Sequence, residues 1–147
     1  MKLPDNADAG TREDFAIEKF RLAKRFLLDA HTAFQSESNN TAVNRAYYAV
    51  FKVVTAVQSL EQKKFRSHGQ AIGDFNREYI HEKKLFPEKF GGELHKIMKL
   101  RHTSDYEEFD NPTDEKTQAA ISFAEEFFIA LKRYCENLTG REIDVNL

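Results

Sequence analysis

Apolar residues recur at alternating intervals of four and three along much of the chain, which is the pattern of amphipathic helices. The first stripe comprises Ala16, Phe20, Ala23, Leu27, Ala30 and Phe34. Thr11 precedes this stripe and can cap its helix, because a threonine oxygen accepts a hydrogen bond from an amide of the first turn. The pattern predicts a long first helix after a loose lead-in at residues 1–10, with a turn at residues 36–40.

The second helix is predicted from about Thr41 to about Gln62 and is the most apolar segment of the chain. Apolar residues cover most of its circumference, so we expect it to be the most buried helix. A narrow polar strip interrupts this apolar surface at Arg45, Tyr48, Lys52, Thr55 and Ser59.

Three further helices are predicted from capping and terminating residues. Ser67 begins a capping motif for a short third helix, a fourth helix follows Pro87, and a last one runs from Pro112 to Gly140. Loops are predicted at residues 81–86 and 103–111. The sequence therefore predicts an all-α fold, an antiparallel up-and-down bundle of four long helices plus one short helix.

Length and composition narrow the classes of protein. The 147 residues fit one domain spanning residues 1–147, and the net charge of -2 gives no overall attraction to nucleic acid, so such binding requires a local patch. A single cysteine, Cys135, excludes an internal disulfide and fits a reducing compartment. With no signal-peptide pattern and no run of apolar residues long enough to cross a bilayer, we expect a cytoplasmic protein without membrane association.

Arg101 is a charged residue on the apolar stripe of the fourth helix, four residues after Ile97 and three after Met98. A charge at such a position is costly unless it is paired and hydrogen-bonded. Asp105 and Tyr106 follow closely and are candidate partners. The alternative is an arginine at a helix end that extends to water and pairs with Asp105.

Two other polar positions are candidates for a binding site. Arg45 lies inside the most apolar helix, beside Asn44 and near Tyr48. An equally good alternative is that Arg45 belongs to the polar strip of this helix and only neutralises an acidic neighbour. His68 stands at a predicted helix start after the basic residues 63–66, where amide groups and the helix dipole favour phosphate. The alternative is an ordinary solvated basic loop.

Metal chemistry has little support in the sequence. Glu78 and His81 form one Glu-x-x-His motif, whereas a di-iron bundle requires two. Cys135 lies on an apolar stripe and is expected to be a core residue. We therefore expect neither a metal ion nor another cofactor.

Residues 44–51 read NRAYYAVF, residues 67–69 read SHG, and residues 100–106 read LRHTSDY. These three segments, in this order, resemble the HEPN superfamily, in particular its small stand-alone proteins of bacteria and archaea. The resemblance extends from about Phe15 to Leu138. It implies a helical bundle that commonly forms homodimers. It also implies either metal-independent ribonuclease activity or nucleotide binding, often beside a minimal nucleotidyltransferase partner in a toxin–antitoxin pair.

The resemblance also implies candidate site residues, with one departure from the pattern. Ribonuclease members of the superfamily carry a histidine after the arginine, with four to six residues between the two. Here Tyr106 holds the matching position, and His102 is adjacent to Arg101 and out of register. Tyrosine is a weak acid–base group near neutral pH because its ordinary pKa is about 10.

These considerations assign two sets of candidate site residues. Candidates for catalysis are Arg101, Tyr106, His68 and His102. Candidates for ligand binding are Arg45, Asn44, Tyr48 and Asp105. The leading hypothesis is binding of a nucleotide or RNA phosphate beside a nucleotidyltransferase partner. The alternatives are an active ribonuclease toxin and a non-catalytic interaction module.

Overall fold

The computed structural model describes the backbone of residues 9–64, 67–106 and 111–147, and the side chains of all of these except residues 9 and 104–106. The described residues form five α-helices and one π-helix, which confirms the all-α class. The helices are α1 (Ala9–Gln35), α2 (Asn39–Leu60), α3 (His68–Phe75), the π-helix (Asn76–Glu82), α4 (Lys89–Tyr106) and α5 (Asp114–Thr139). None of these described helices is both long enough and apolar enough to span a membrane.

Helix α2 forms the centre of the fold, as its composition predicts. It packs against α1, α3, α4 and α5, and nearly every apolar side chain along it is buried. A short turn joins α1 to α2, so the two helices run antiparallel. The rings of Phe26 and Tyr48 stack across this pair with their centroids 5.6 Å apart, which fixes the relative register of α1 and α2.

Of the predicted capping residues, Ser67 is confirmed and Thr11 is wrong. Helix α1 begins at Ala9, inside the lead-in predicted at residues 1–10, so Thr11 lies within the helix and does not cap it. The hydroxyl oxygen of Ser67 accepts a hydrogen bond from the Gln70 amide at 3.2 Å, and that of Thr113 accepts one from the Lys116 amide at 3.2 Å. Gly140 ends α5 in the left-handed region with φ of 68°. A residue with a Cβ atom is strained in that conformation, so glycine is the favoured terminator here.

Two predicted loops are wrong in part. Residues 81–86 were expected to be a loop, but α3 continues directly into the π-helix, which ends at Glu82. This continuation buries Tyr79 fully, with its ring stacked on Phe75 at 4.8 Å. The third helical segment therefore extends two residues into the predicted loop, to Glu82. The loop expected at residues 103–111 begins later, because α4 continues to Tyr106.

The first residue of α2 anchors it to the segment that leads into α5. Helix α2 begins at Asn39, two residues before the predicted start at Thr41. The side-chain amide nitrogen of Asn39 donates a hydrogen bond of 2.8 Å to the Pro112 carbonyl oxygen and another of 2.8 Å to a carboxylate oxygen of Asp114. Asn39 thereby holds together two segments that are distant in the sequence.

One close approach explains a glycine in α4. A Cβ atom added to Gly91 would lie 2.8 Å from the side-chain oxygen of Asn76, at the start of the π-helix. A Cβ atom added to the neighbouring Gly92 would have no contact within 4 Å. Gly91 therefore lets α4 approach the π-helix closely, although glycine lowers the helix propensity of this first turn.

Candidate functional site

Arg101 packs against the central helix through two tyrosine rings. Its guanidinium carbon lies 5.0 Å from the ring centroid of Tyr47 and 5.8 Å from that of Tyr48. A cation this close to an aromatic face is attracted by the negative charge density of the ring. The half-buried Arg101 is therefore positioned by α2, as its place on the apolar stripe indicates, and it can present its N–H groups to an anion.

His68 completes the same site from the first residue of α3. Its ring stacks on Phe51 at a centroid distance of 3.7 Å and meets the ring of Tyr48 edge-on at 5.8 Å. Burial lowers the pKa of His68 below its ordinary value, and the positive charges of Arg101 and Lys52 lower it further. His68 is consequently neutral at pH 7 and able to accept a proton.

We call Tyr47, Tyr48, Phe51, His68 and Arg101 the aromatic–cation cluster. Three elements build it: the middle of α2, the start of α3 and the last turns of α4. Burial raises the pKa of Tyr47, despite the opposing effect of Arg101, so its hydroxyl remains protonated at neutral pH. The cluster thus combines a fixed cation, a neutral imidazole and phenol groups, which together suit an anionic ligand with an aromatic part.

Arg45 and Asn44 lie one turn nearer the start of α2. A guanidinium nitrogen of Arg45 donates a hydrogen bond to the side-chain oxygen of Asn44, and both residues are half-buried. Arg45 is three residues before Tyr48, so the two side chains lie on the same side of the helix. Both predicted binding residues therefore flank the aromatic–cation cluster.

The structure describes the side chain of one of the three remaining predicted site residues, His102. His102 is exposed, and as the residue after Arg101 it is turned by about 100° around the helix axis. The side chains of Asp105 and Tyr106 lie outside the described part of the chain. Their roles as partners of Arg101 remain predictions.

Tyr47 and Phe51 belong to the site although the sequence pattern assigned them to the core. Both are buried, and both contribute the ring faces that hold Arg101 or His68. The available signal was their spacing of four residues, which places them on one side of α2 beside Tyr48. Hydrophobic periodicity alone does not distinguish such rings from ordinary core residues.

The described residues contain no group of three or more histidine, cysteine, aspartate and glutamate side chains placed to hold a metal ion. Cys135 is fully buried, and burial raises the pKa of its thiol well above its ordinary range. A thiol in this state is a poor nucleophile. Among the described side chains of the aromatic–cation cluster, the polar groups are those of Arg101, His68, Tyr47 and Tyr48.

The described residues form an all-helical fold in which the central helix holds an arginine against two tyrosine rings, which places the chain among small α-helical domains. Comparison with known proteins identifies the family. The HEPN domain family matches residues 18–134. The chain belongs to the HEPN family.

Two relatives match most of the chain. A UPF0332 protein of Thermotoga maritima is 32% identical over 118 residues, which cover 80% of this chain and 89% of that protein. A protein of Methanocaldococcus jannaschii, named as a candidate toxin, is 30% identical over 133 residues, covering 90% of this chain and 96% of that protein. The chain is thus similar to these proteins over nearly their whole lengths.

Proposed function

We propose that this HEPN-domain protein binds a phosphate group of a nucleotide or RNA at the aromatic–cation cluster. The observation that carries the proposal is the position of Arg101, 5.0 Å from the Tyr47 ring and 5.8 Å from the Tyr48 ring, beside a neutral His68. A guanidinium group matches two phosphate oxygens at once, and rings that hold it in place reduce the entropy lost on binding.

The proposal extends to the biological setting of the protein. The candidate-toxin name of one relative supports a toxin-like role for this chain. We propose that it acts in the cytoplasm as a homodimer, as the partner of a minimal nucleotidyltransferase in a toxin–antitoxin-like pair. We also propose that residues 1–147 form one domain, since a single hydrophobic cluster includes side chains from every described helix.

Binding of a mononucleotide and of a short single-stranded RNA to the purified chain tests the site. Replacement Arg101→Ala should abolish both interactions, and Arg101→Lys should restore only part of them because lysine lacks the planar fork. The matched control is Arg133→Ala, which removes an exposed arginine from α5. Unchanged binding by Arg101→Ala, with the native helical content retained, would show that the site lies elsewhere.

A second candidate function is metal-independent RNA cleavage, which the neutral His68 favours. In this reaction His68 would accept the proton of a ribose 2′-hydroxyl, whose oxygen attacks the adjacent phosphorus. The bond from phosphorus to the 5′-oxygen breaks, and that oxygen takes a proton from water. Arg101 would stabilise the negative charge that develops on the phosphate. The products would end in a cyclic 2′,3′-phosphate and a free 5′-hydroxyl.

The two candidate functions differ in their dependence on His68. If the chain cleaves RNA, its expression slows growth, and both His68→Gln and Arg101→Ala abolish this effect and the cleavage of RNA in vitro. If the chain only binds, His68→Gln weakens binding slightly and no cyclic phosphate product is formed. Cleavage that persists in His68→Gln would contradict the assignment of His68 as the base.

A further inference from the structure

Lys19 is a buried cation on α1, the helix that packs along α2. The residue is only 9% exposed, and its ammonium group lies 4.6 Å from the ring centroid of Phe15. A lysine this deeply buried ordinarily has a carboxylate partner. Within the described part of the chain, no carboxylate oxygen lies within 4.0 Å of the Lys19 ammonium.

Lys52 is a second cation without a carboxylate partner among the described residues. Its ammonium lies 5.8 Å from the ring centroid of Phe51, which is itself stacked on His68. Helix α2 contains no aspartate or glutamate over its 22 residues, so no acidic group of its own offsets the charge. Lys52 therefore borders the aromatic–cation cluster and adds positive charge to it.

The register of α1 and α2 brings these two lysines together. Phe26 and Tyr48 stack across the antiparallel helices, Lys19 precedes Phe26 by seven residues, and Lys52 follows Tyr48 by four. Spacings of seven and four residues keep side chains on one helix face. The lysines thus lie on the face that carries the stack, within about one helical turn, about 5 Å, of each other along the axes.

Electrostatic effects agree with this placement. Burial lowers the pKa of Lys19, and the charge of Lys52 lowers it further. The charge of Lys52 also lowers the pKa of His68, together with that of Arg101. Lys52 is therefore near both Lys19 and the cluster, so the positive charge continues from one to the other.

Two neighbouring cations that are partly removed from water repel each other, and a bound anion would offset this repulsion. Half-buried aromatic rings, Phe15 and Phe26, lie along the same face of α1. Aromatic rings beside a basic groove are typical of surfaces that bind single-stranded nucleic acid by base stacking.

We infer that Lys19 and Lys52 form a second phosphate subsite next to the aromatic–cation cluster, and that the ligand is single-stranded RNA carrying at least two phosphates. The inference rests on the proposed function, because it takes the cluster as the first phosphate site. It makes that proposal more specific, because the ligand is then an RNA strand that crosses the α1–α2 groove rather than a single nucleotide.

The salt dependence of RNA binding tests the second subsite. The full chain is titrated into a labelled 12-nucleotide single-stranded RNA and, separately, into a nucleoside monophosphate, at several salt concentrations. Each phosphate contact to a single strand contributes about 0.7 to the slope of log K against log salt. The variant Lys19→Gln/Lys52→Gln removes the one phosphate contact of the second subsite, so it should lower the slope for RNA by about 0.7. It should weaken RNA binding more than monophosphate binding, because the monophosphate loses only the long-range attraction of Lys52.

Two further variants separate charge from folding. Lys19→Arg/Lys52→Arg keeps both charges and should keep the wild-type slope. Lys96→Gln/Lys116→Gln removes two exposed lysines of α4 and α5 and is the control for net charge, expected to change the slope little. Thermal unfolding of all variants shows whether they are folded.

Each result decides between the two proposals. An unchanged RNA slope in folded Lys19→Gln/Lys52→Gln, with binding lost in Arg101→Ala, would overturn the second subsite and leave the proposed function intact. If the double variant lost monophosphate affinity and RNA affinity equally, the inference that the ligand is an RNA strand would be wrong, and a single nucleotide would be favoured. A wild-type chain that binds neither probe would overturn the proposed function and the inference with it.

Discussion

Replacement of Asn39 by alanine should destabilise the fold by about 2 kcal/mol. The amide nitrogen of this buried residue donates to the Pro112 carbonyl and the Asp114 carboxylate, each at 2.8 Å. A hydrogen bond contributes about 1 kcal/mol net, and the bond to the charged Asp114 is moderated by that residue's exposure. The sum is therefore about 2 kcal/mol, and somewhat more if the Pro112 carbonyl remains dry.

Urea unfolding followed by circular dichroism measures this loss. With a slope of about 2 kcal/mol per molar, the unfolding midpoint of Asn39→Ala should fall by about 1 M at unchanged slope. Asn39→Asp should be less stable still at pH 7, because a carboxylate would face the Pro112 carbonyl and Asp114 without a proton to donate.

The neighbouring Asn40 supplies a matched control. Asn40 is half-buried on the same turn of α2, and its side-chain oxygen has no hydrogen-bond partner in the described structure. Asn40→Ala should therefore change the free energy of unfolding by less than about 0.5 kcal/mol. A loss below about 0.5 kcal/mol for Asn39→Ala as well would refute the anchoring role assigned to Asn39.

Three other outcomes follow from the structure. Gly92→Ala should raise the unfolding midpoint, because alanine favours helix over glycine by up to about 1 kcal/mol. Gly91→Ala should not show this gain, because its Cβ atom would clash with the Asn76 side chain. Equal midpoints for the two variants would contradict the close approach at Gly91. The Cys135 thiol should react with a thiol reagent only after unfolding, so rapid native-state labelling would contradict its burial. Because the pKa of His68 is lowered on folding, stability should fall as pH drops below about 6.5, and this dependence should be weaker in His68→Gln.

The sequence was sufficient to predict the all-helical fold and much of its core. Helical periodicity identifies α1, α2 and α5 because each buries one face, or nearly all faces, in the core. Ser67, Thr113 and Gly140 mark helix ends because their local chemistry acts within one turn. The π-helix was not predicted, because it depends on the burial of Tyr79 against other helices rather than on a local signal.

The candidate site was predicted in part. Arg101 and Tyr48 were recognised because a charge on an apolar stripe and a phenol on a polar strip depart from a simple core pattern. Lys19 was not recognised as a site residue, because its position depends on the register between α1 and α2. That register is fixed by the Phe26–Tyr48 stack, a tertiary contact that periodicity within one helix does not contain.

The central claim is that an anionic ligand binds beside Arg101, in contact range of His68. Titration of His68 by NMR, with its signal assigned through His68→Gln, tests this claim in the presence and absence of the 12-nucleotide RNA. The account predicts a His68 pKa lower than that of a solvent-exposed histidine in the free protein. It predicts a higher pKa in the complex, because a bound phosphate offsets the positive charges of Arg101 and Lys52. An identical His68 titration with saturating RNA would contradict the account.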